Sequence, residues 1–294
     1  MNWCDQKLGF SPTAPTEEEV KARLDALSLD DLVRAWREMS TTGLKDRTDG
    51  THAVMMYFDG LGHNEPERAV AFIEALLKQE PDDAVVALTG QGKLLGQLLH
   101  FNGARVARSL QELAMREPKL RWLMGTAYWS ISGGIEDADT KRRLLSITDK
   151  DAYKAWEEGY KSHEIIDFAS LSVAELAPLW VEINSRSDLD KEKDGNWSAL
   201  FDYQFELVNE DPLKALELTK AIVEIEDNPH VIGLLAAGML EDLIPAEDGP
   251  VVDAIVAEAS RNPRFRHLLG GVWFLGMSPK VTERLEKARE DVSW

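Results

Sequence analysis

The chain has a single cysteine, too few bases to balance its acids, and no long apolar run. Cys4 alone excludes an internal disulfide framework and any cysteine-built zinc cluster. With no histidine or other base beside it in sequence, it reads as an inert thiol. The 33 bases stand against 52 acids, a net charge of −19, which is the reverse of what a nucleic-acid binder carries. Stretches as apolar as Val231 to Leu240 reach about half of the roughly twenty residues that a membrane-spanning helix needs. The start, Met1-Asn2-Trp3-Cys4-Asp5-Gln6-Lys7, has no basic segment leading into an apolar one, as a secretory signal would. The expectation is a cytoplasmic protein that contacts neither membrane nor nucleic acid.

Catalytic signatures are equally scarce. The six histidines (His52, His63, His100, His163, His230 and His267) include no i, i+4 pair, and no glycine-flanked serine marks a nucleophile elbow. Thr89-Gly90-Gln91-Gly92-Lys93 resembles a phosphate loop, but Leu94 stands where a hydroxyl must meet magnesium and no clear strand precedes it. Asp190, Glu192, Asp194 and Gly195 occupy four positions of a calcium loop, yet its twelfth position is Phe201, which cannot ligate. The sequence therefore predicts no catalytic residue, no cofactor and no metal.

What the chain does have is repetition. Leu27-Ser28-Leu29-Asp30-Asp31-Leu32 to Trp36 recurs as Leu171-Ser172-Val173-Ala174-Glu175-Leu176 to Trp180, shifted by 144. Asp49-Gly50 and Asn64-Glu65 recur as Asp194-Gly195 and Asn209-Glu210, shifted by 145. Residues 98–129 laid on 243–274 give eight identities at that shift, Arg116, Pro118 and Gly125 matching Arg261, Pro263 and Gly270 among them. A nearly constant offset over so long a span implies tandem duplication, with copies at 1–146 and 147–294.

Each copy reads as helical. Ala69, Phe72, Ile73 and Leu76 share one face at i, i+3, i+4 and i+7, and Ala215, Leu218, Ile222 and Ile225 are expected to play that part in the second copy. Ser28 before Asp31 and Ser172 before Glu175 are start signals, as are Pro66 and Pro212. Pro118 and Pro263 mark turns between helices. Val85 to Leu88 is the one short stretch that could be a strand. The expected architecture is all-α: a duplicated unit of about six helices, packed as a bundle or a HEAT-like repeat. Trp36, Trp129, Trp180 and Trp273 recur between the copies and are expected in the core, whereas Trp3, Trp197 and Trp294 lack that symmetry and could be exposed.

The run Leu234-Leu235-Ala236-Ala237-Gly238-Met239-Leu240-Glu241-Asp242-Leu243 leads on to Asn262-Pro263-Arg264-Phe265 and Leu268-Leu269-Gly270-Gly271-Val272-Trp273. It resembles the core of a bacterial family of small helical domains known only as a domain of unknown function. The likeness covers about 196–275, with a weaker counterpart at about 51–130, where Gly92-Lys93-Leu94-Leu95-Gly96-Gln97 stands in place of the acid pair. It implies a helical fold and a bacterial source, and no activity.

Charge separates the copies. Residues 51–115 hold 8 acids and 5 bases, while the matching 196–260 hold 14 acids and 2 bases. A shared fold does not require this difference. A solvated acidic surface would account for it, and so would a face for a basic partner, since a concentrated negative field speeds association with lysine- and arginine-rich surfaces. The candidate partner-binding residues are Glu206, Glu210, Asp211, Glu217, Glu224, Glu226, Asp227, Glu241, Asp242, Glu247, Asp248, Asp253 and Glu258. Acidity, helicity and the lack of catalytic motifs suit a bacterial immunity or antitoxin protein that occludes a basic toxin domain. The alternatives are a helical scaffold or adaptor for a cellular partner, and an enzyme with a site between the copies using Glu241, Asp242 and His267.

Overall fold

A computed structural model describes residues 3–9, 17–90, 94–160, 164–245, 247–274 and 276–290, and every regular element among them is helical. The chain forms two compact units, residues 1–161 with 187–193, and residues 162–186 with 194–294. The position 146 taken from the repeat falls inside the first of these. Trp294 and the Gln91–Lys93 part of the loop-like motif lie outside the described residues.

The first unit contains α1 (Trp3–Leu8), α2 (Glu17–Asp25), α3 (Leu29–Thr41), α4 (Asp49–Asn64), α5 (Pro66–Gln79), α6 (Asp83–Ala87), α7 (Leu94–Arg116), α8 (Lys119–Thr126), α9 (Tyr128–Gly134), α10 (Ala138–Leu145) and α11 (Lys150–Tyr160). The stretch that could have been a strand is thus α6, capped by the Asp82 carboxylate, which accepts the Ala84 N–H at 3.0 Å. Trp36 centres the core. Phe58 meets its ring edge-on at 5.0 Å, and its indole N–H donates to the Val85 carbonyl at 2.9 Å. The helix α11 packs on α8, which places it in the first unit.

Next along the chain come α12 (Val173–Ser185) and α13 (Asp188–Lys193). The latter belongs to the first unit, where Arg47 pairs with Asp188 at 2.8 Å. The second unit continues with α14 (Gly195–Glu210), α15 (Pro212–Ile225), α16 (Pro229–Leu235), a π-helical turn (Ala236–Leu240), α17 (Glu241–Leu243), α18 (Pro250–Arg261), α19 (Pro263–Gly270) and α20 (Pro279–Ala288).

The copies correspond helix by helix. α3 and α12 are each thirteen residues long, begin after Ser28 and Ser172, and bury Trp36 and Trp180. α4 and α14 are each sixteen residues long, with Thr48 and Asp194 as N-caps, and lead through one residue into the fourteen-residue helices α5 and α15. Matching those caps sets the local offset at 146, one more than the sequence alignment of Asp49 with Asp194 expects. Leu61 then faces Leu207, and Phe58 faces Gln204, whose side-chain oxygen accepts the Trp180 indole N–H at 2.9 Å. The copies diverge after α6 and α16. α7 is continuous over 23 residues, while its counterpart breaks at Ile244, which adopts extended backbone before Pro245.

Two expectations about the core fail. Ile225 is 57% exposed at the last turn of α15, because the buried stripe of that helix runs through Ala215, Leu218, Thr219 and Ile222. Trp129 and Trp273, the second matched pair, are 81% and 73% exposed. Their neighbours Ile131 and Val272 take the buried positions, so the recurrence of these tryptophans marks a shared surface feature.

Candidate functional site

The helix α14 combines three chemically different faces. Its start is fixed by the Asp194 carboxylate, which accepts the Asn196 N–H at 3.0 Å. Leu200 and Leu207 point inward and are 3% and 6% exposed. Tyr203 lies half-buried beside them, stacked at 6.1 Å with Phe168 from the 3-10 turn Phe168–Ser170. A second face carries Trp197, Phe201 and Phe205 at i, i+4 and i+8, all exposed; the first two stack at 6.3 Å. With about 100° per residue, these side chains form a ridge that winds slowly along the helix. A third face carries Asp202, Glu206 and Glu210 at the same spacing, a stripe of exposed carboxylates alongside the ridge.

Beneath the acidic stripe, α14 and the start of α15 enclose a shallow pocket of about 210 Å³. Tyr203, Glu206, Glu210, Asp211 and Lys214 supply its polar lining. Asp211 is the N-cap of α15, accepting the Lys214 N–H at 3.1 Å, and the Lys214 ammonium donates to the Tyr203 hydroxyl at 3.3 Å. Three carboxylates and one ammonium leave the pocket net negative. It suits a cationic side chain, held by charge-assisted hydrogen bonds. No cluster of three or more metal-ligating side chains occurs among the described residues.

The other predicted acids lie elsewhere, and several are already engaged. Glu226 is 5% exposed, and its carboxylate accepts the backbone N–H groups of Asp227 and Asn228 at 3.0 and 2.9 Å. Glu258 is also 5% exposed, and binds Arg261 at 2.5 Å and the Asn262 amide at 3.1 Å. Burial would raise its pKa, but these two partners together with Lys220 hold it below the ordinary carboxylate value. Both acids hold helix corners and offer nothing to a partner. Glu217 pairs with Lys220 at 2.7 Å, and Glu224 accepts from the Asn262 amide at 2.8 Å. Asp248 pairs with Lys280 at 2.7 Å and with Arg284, which also holds Asp253 at 2.7 Å. Asp227, Asp242 and Glu247 are exposed. Glu206, Glu210 and Asp211 line the pocket beside α14 together.

The residues of the enzymatic alternative have separate neighbours: Glu241 accepts the Trp273 N–H at 3.3 Å, and His267 lies 3.4 Å from Glu290. The residues proposed for a calcium loop form α13 and the start of α14. Sequence reasoning flagged Trp197 as exposable, weighed Phe201 only as a failed calcium position and passed over Phe205. The signal was there, in three aromatics four residues apart on a helix whose inward face is already supplied by Leu200 and Leu207.

Residues 185–292, which include the aromatic ridge and the pocket's acids, match a family described as a family of unknown function (DUF6869). No helix among the described residues is long and apolar enough to cross a membrane. No curated protein and no solved structure matches the chain. The second unit therefore carries the family resemblance expected from Leu234 to Trp273, and carries it without an assigned activity.

Proposed function

We propose that this chain is a non-enzymatic protein-binding protein whose second unit captures a basic partner, and that it acts as a bacterial immunity or antitoxin protein occluding a basic toxin domain. One observation carries the reading: an acidic pocket formed by Glu206, Glu210 and Asp211 stands beside an exposed aromatic ridge. Interfaces draw most of their energy from a few buried aromatic anchors, while the charges around them set orientation and association rate. Trp197, Phe201 and Phe205 are suited to the first role and the carboxylates to the second. Soluble monomeric proteins rarely leave contiguous large apolar side chains in water without a use for them.

The test is titration calorimetry against the protein encoded next to this one, at low and at moderate salt. Binding should weaken with added salt, because screening shortens the reach of the carboxylates. The triple variant E206Q/E210Q/D211N should lose about tenfold or more in affinity. Binding that the triple variant leaves unchanged refutes the proposal.

A further inference from the structure

We infer that the pocket between α14 and the start of α15 takes a lysine side chain of the basic partner, in the role that Lys21 plays against Glu65 within the first unit. The inference rests on the reading just given and adds which side chain is recognised.

The pocket has a counterpart in the first unit. With the N-caps Thr48 and Asp194 matched, Tyr57, Leu61, Glu65 and Arg68 correspond to Tyr203, Leu207, Asp211 and Lys214. Four of the seven residues lining the pocket thus keep their chemistry between the copies. In the first unit the helix α2 supplies the rest of this site. Its Lys21 ammonium lies 2.7 Å from Asp25 and 3.3 Å from Glu65. Arg68 donates to the carbonyls of Leu24 and Leu27 at 3.2 and 3.1 Å, which holds the end of α2 in place. The Tyr57 hydroxyl is pushed up to about 12, chiefly by burial, and the charges of Arg68, Asp25 and Glu65 all act on it. Two carboxylates therefore meet two cations, and the site is neutral.

The second unit keeps the acids and lacks the lysine. At the offset that relates Ser28 to Ser172, Leu24, Asp25 and Lys21 correspond to Phe168, Ala169 and Ile165. Phe168 holds the buried position of Leu24, at 3% against 1% exposed. Ala169 lines the pocket with a side chain too short to fill it, and Ile165 is 51% exposed and uncharged. Gly60 and Asn64 correspond to Glu206 and Glu210, so two carboxylates stand where the first copy has none. Against Lys214, the three acids leave two negative charges unbalanced.

The form of the site favours lysine over arginine. Its three carboxylates come from two successive turns of α14 and from the cap of α15, so no single one dominates. A compact ammonium directs three N–H donors to separate acceptors, whereas the planar guanidinium fork is matched to one bidentate carboxylate. Leu207, Ala169 and the Tyr203 ring offer an apolar wall for the lysine stem.

The test is NMR of the full chain, ¹⁵N-labelled, titrated with Nα-acetyl-lysine methylamide and with its arginine and norleucine analogues. The lysine compound should shift the amides of Tyr203, Glu206, Glu210 and Lys214, and bind about fivefold more tightly than the arginine one. Norleucine, which keeps the stem without the ammonium, should leave them in place. The variant E206Q/E210Q should weaken lysine binding about tenfold while melting with wild type, and Glu210→Gln alone serves if the double variant melts early. No shift at about 20 mM lysine compound, equal shifts with norleucine, or an arginine compound that binds as well overturns the lysine seat. If the lysine compound binds here while E206Q/E210Q/D211N leaves binding of the neighbouring protein unchanged, the reading under Proposed function fails alone. If that triple variant loses the neighbouring protein while the lysine compound shifts nothing, the lysine seat fails alone.

Discussion

Glu226 and Glu210 are both acids of the second copy, and the structure assigns them different work. Replacing Glu226 with alanine removes a carboxylate that accepts two backbone N–H groups at the corner after α15, at 3.0 and 2.9 Å. The first copy solves the same corner in the same way: the Glu80 carboxylate, fully buried, accepts the Asp82 N–H at 3.0 Å and the Arg37 guanidinium at 2.7 Å. Hydrogen bonds to a charged group contribute about 1.5–3 kcal/mol each, and water reaching the emptied corner recovers part of that. Glu226→Ala should therefore cost about 2–4 kcal/mol, and Glu226→Gln, which keeps an acceptor without its charge, about half as much. For a unit of this size, each kcal/mol moves the midpoint by roughly 4 °C, so the alanine variant should melt about 8–16 °C lower. Glu210→Ala, at an exposed position, should stay within about 0.5 kcal/mol of wild type. Circular dichroism melts of the three variants decide the matter. If Glu226→Ala and Glu210→Ala melt together at the wild-type temperature, Glu226 does not hold its corner.

Three further outcomes follow from the same geometry. Trp36→Ala and Trp180→Ala should each cost about 3–5 kcal/mol in urea unfolding, whereas Trp129→Ala and Trp273→Ala should cost less than about 0.5 kcal/mol; equal losses would contradict the exposure of the second pair. The Cys4 thiol is buried, and burial together with nearby Glu38 pushes its pKa far above the usual thiol value, so Ellman's reagent should label it only when α1 lifts off α4. Labelling of the native chain as fast as in guanidinium would mean that α1 is not docked. Glu258 has its pKa depressed in the folded state from an ordinary 4.5, so its contribution is present above that value and lost as pH falls through the depressed one. Glu258→Gln should accordingly lower stability at pH 7 and converge with wild type in acid, as followed by urea melts across pH; a constant deficit at all pH values would exclude this origin.

The fold was legible because its signals are local. Caps such as Ser28 and Ser172, prolines at helix starts and a period near 3.6 act within a few residues, and the structure uses them where the sequence places them. Burial is decided by partners far along the chain, and there the reading failed. Trp129 and Trp273 recur as faithfully as Trp36 and Trp180 because recurrence records common ancestry, and ancestry preserves exposed residues as well as buried ones. The acids posed the same difficulty. Nothing near Glu226 or Glu258 in sequence distinguishes a carboxylate turned onto backbone N–H groups from one turned into water. The ridge on α14 was missed because exposure, like burial, is decided by what packs on a helix from elsewhere in the chain, and Leu200 and Leu207 already supply its inward face.

The charge difference between the copies can now be divided by cause. One contact keeps its helices and reverses its polarity, which adds nothing to the difference in net charge. Glu74 of α5 faces Arg116 of α7 at 3.3 Å, while Lys220 of α15, at the position of Glu74, faces Glu258 of α18 at 3.8 Å. Such an exchange moves an acid from one helix to another and leaves the fold indifferent to it. Glu217, Glu224, Asp248 and Asp253 likewise have partners within the unit. Of the others, Asp202, Glu206, Glu210, Asp211, Asp227, Asp242 and Glu247 are exposed and make no ion pair among the described residues, and three of them lie on one stripe of one helix. A charge excess needed only for solubility gains nothing from alignment, since net charge acts through its sum. Alignment beside a row of exposed aromatics is what a binding surface requires, because a partner must meet its anchors and its counter-charges in one geometry.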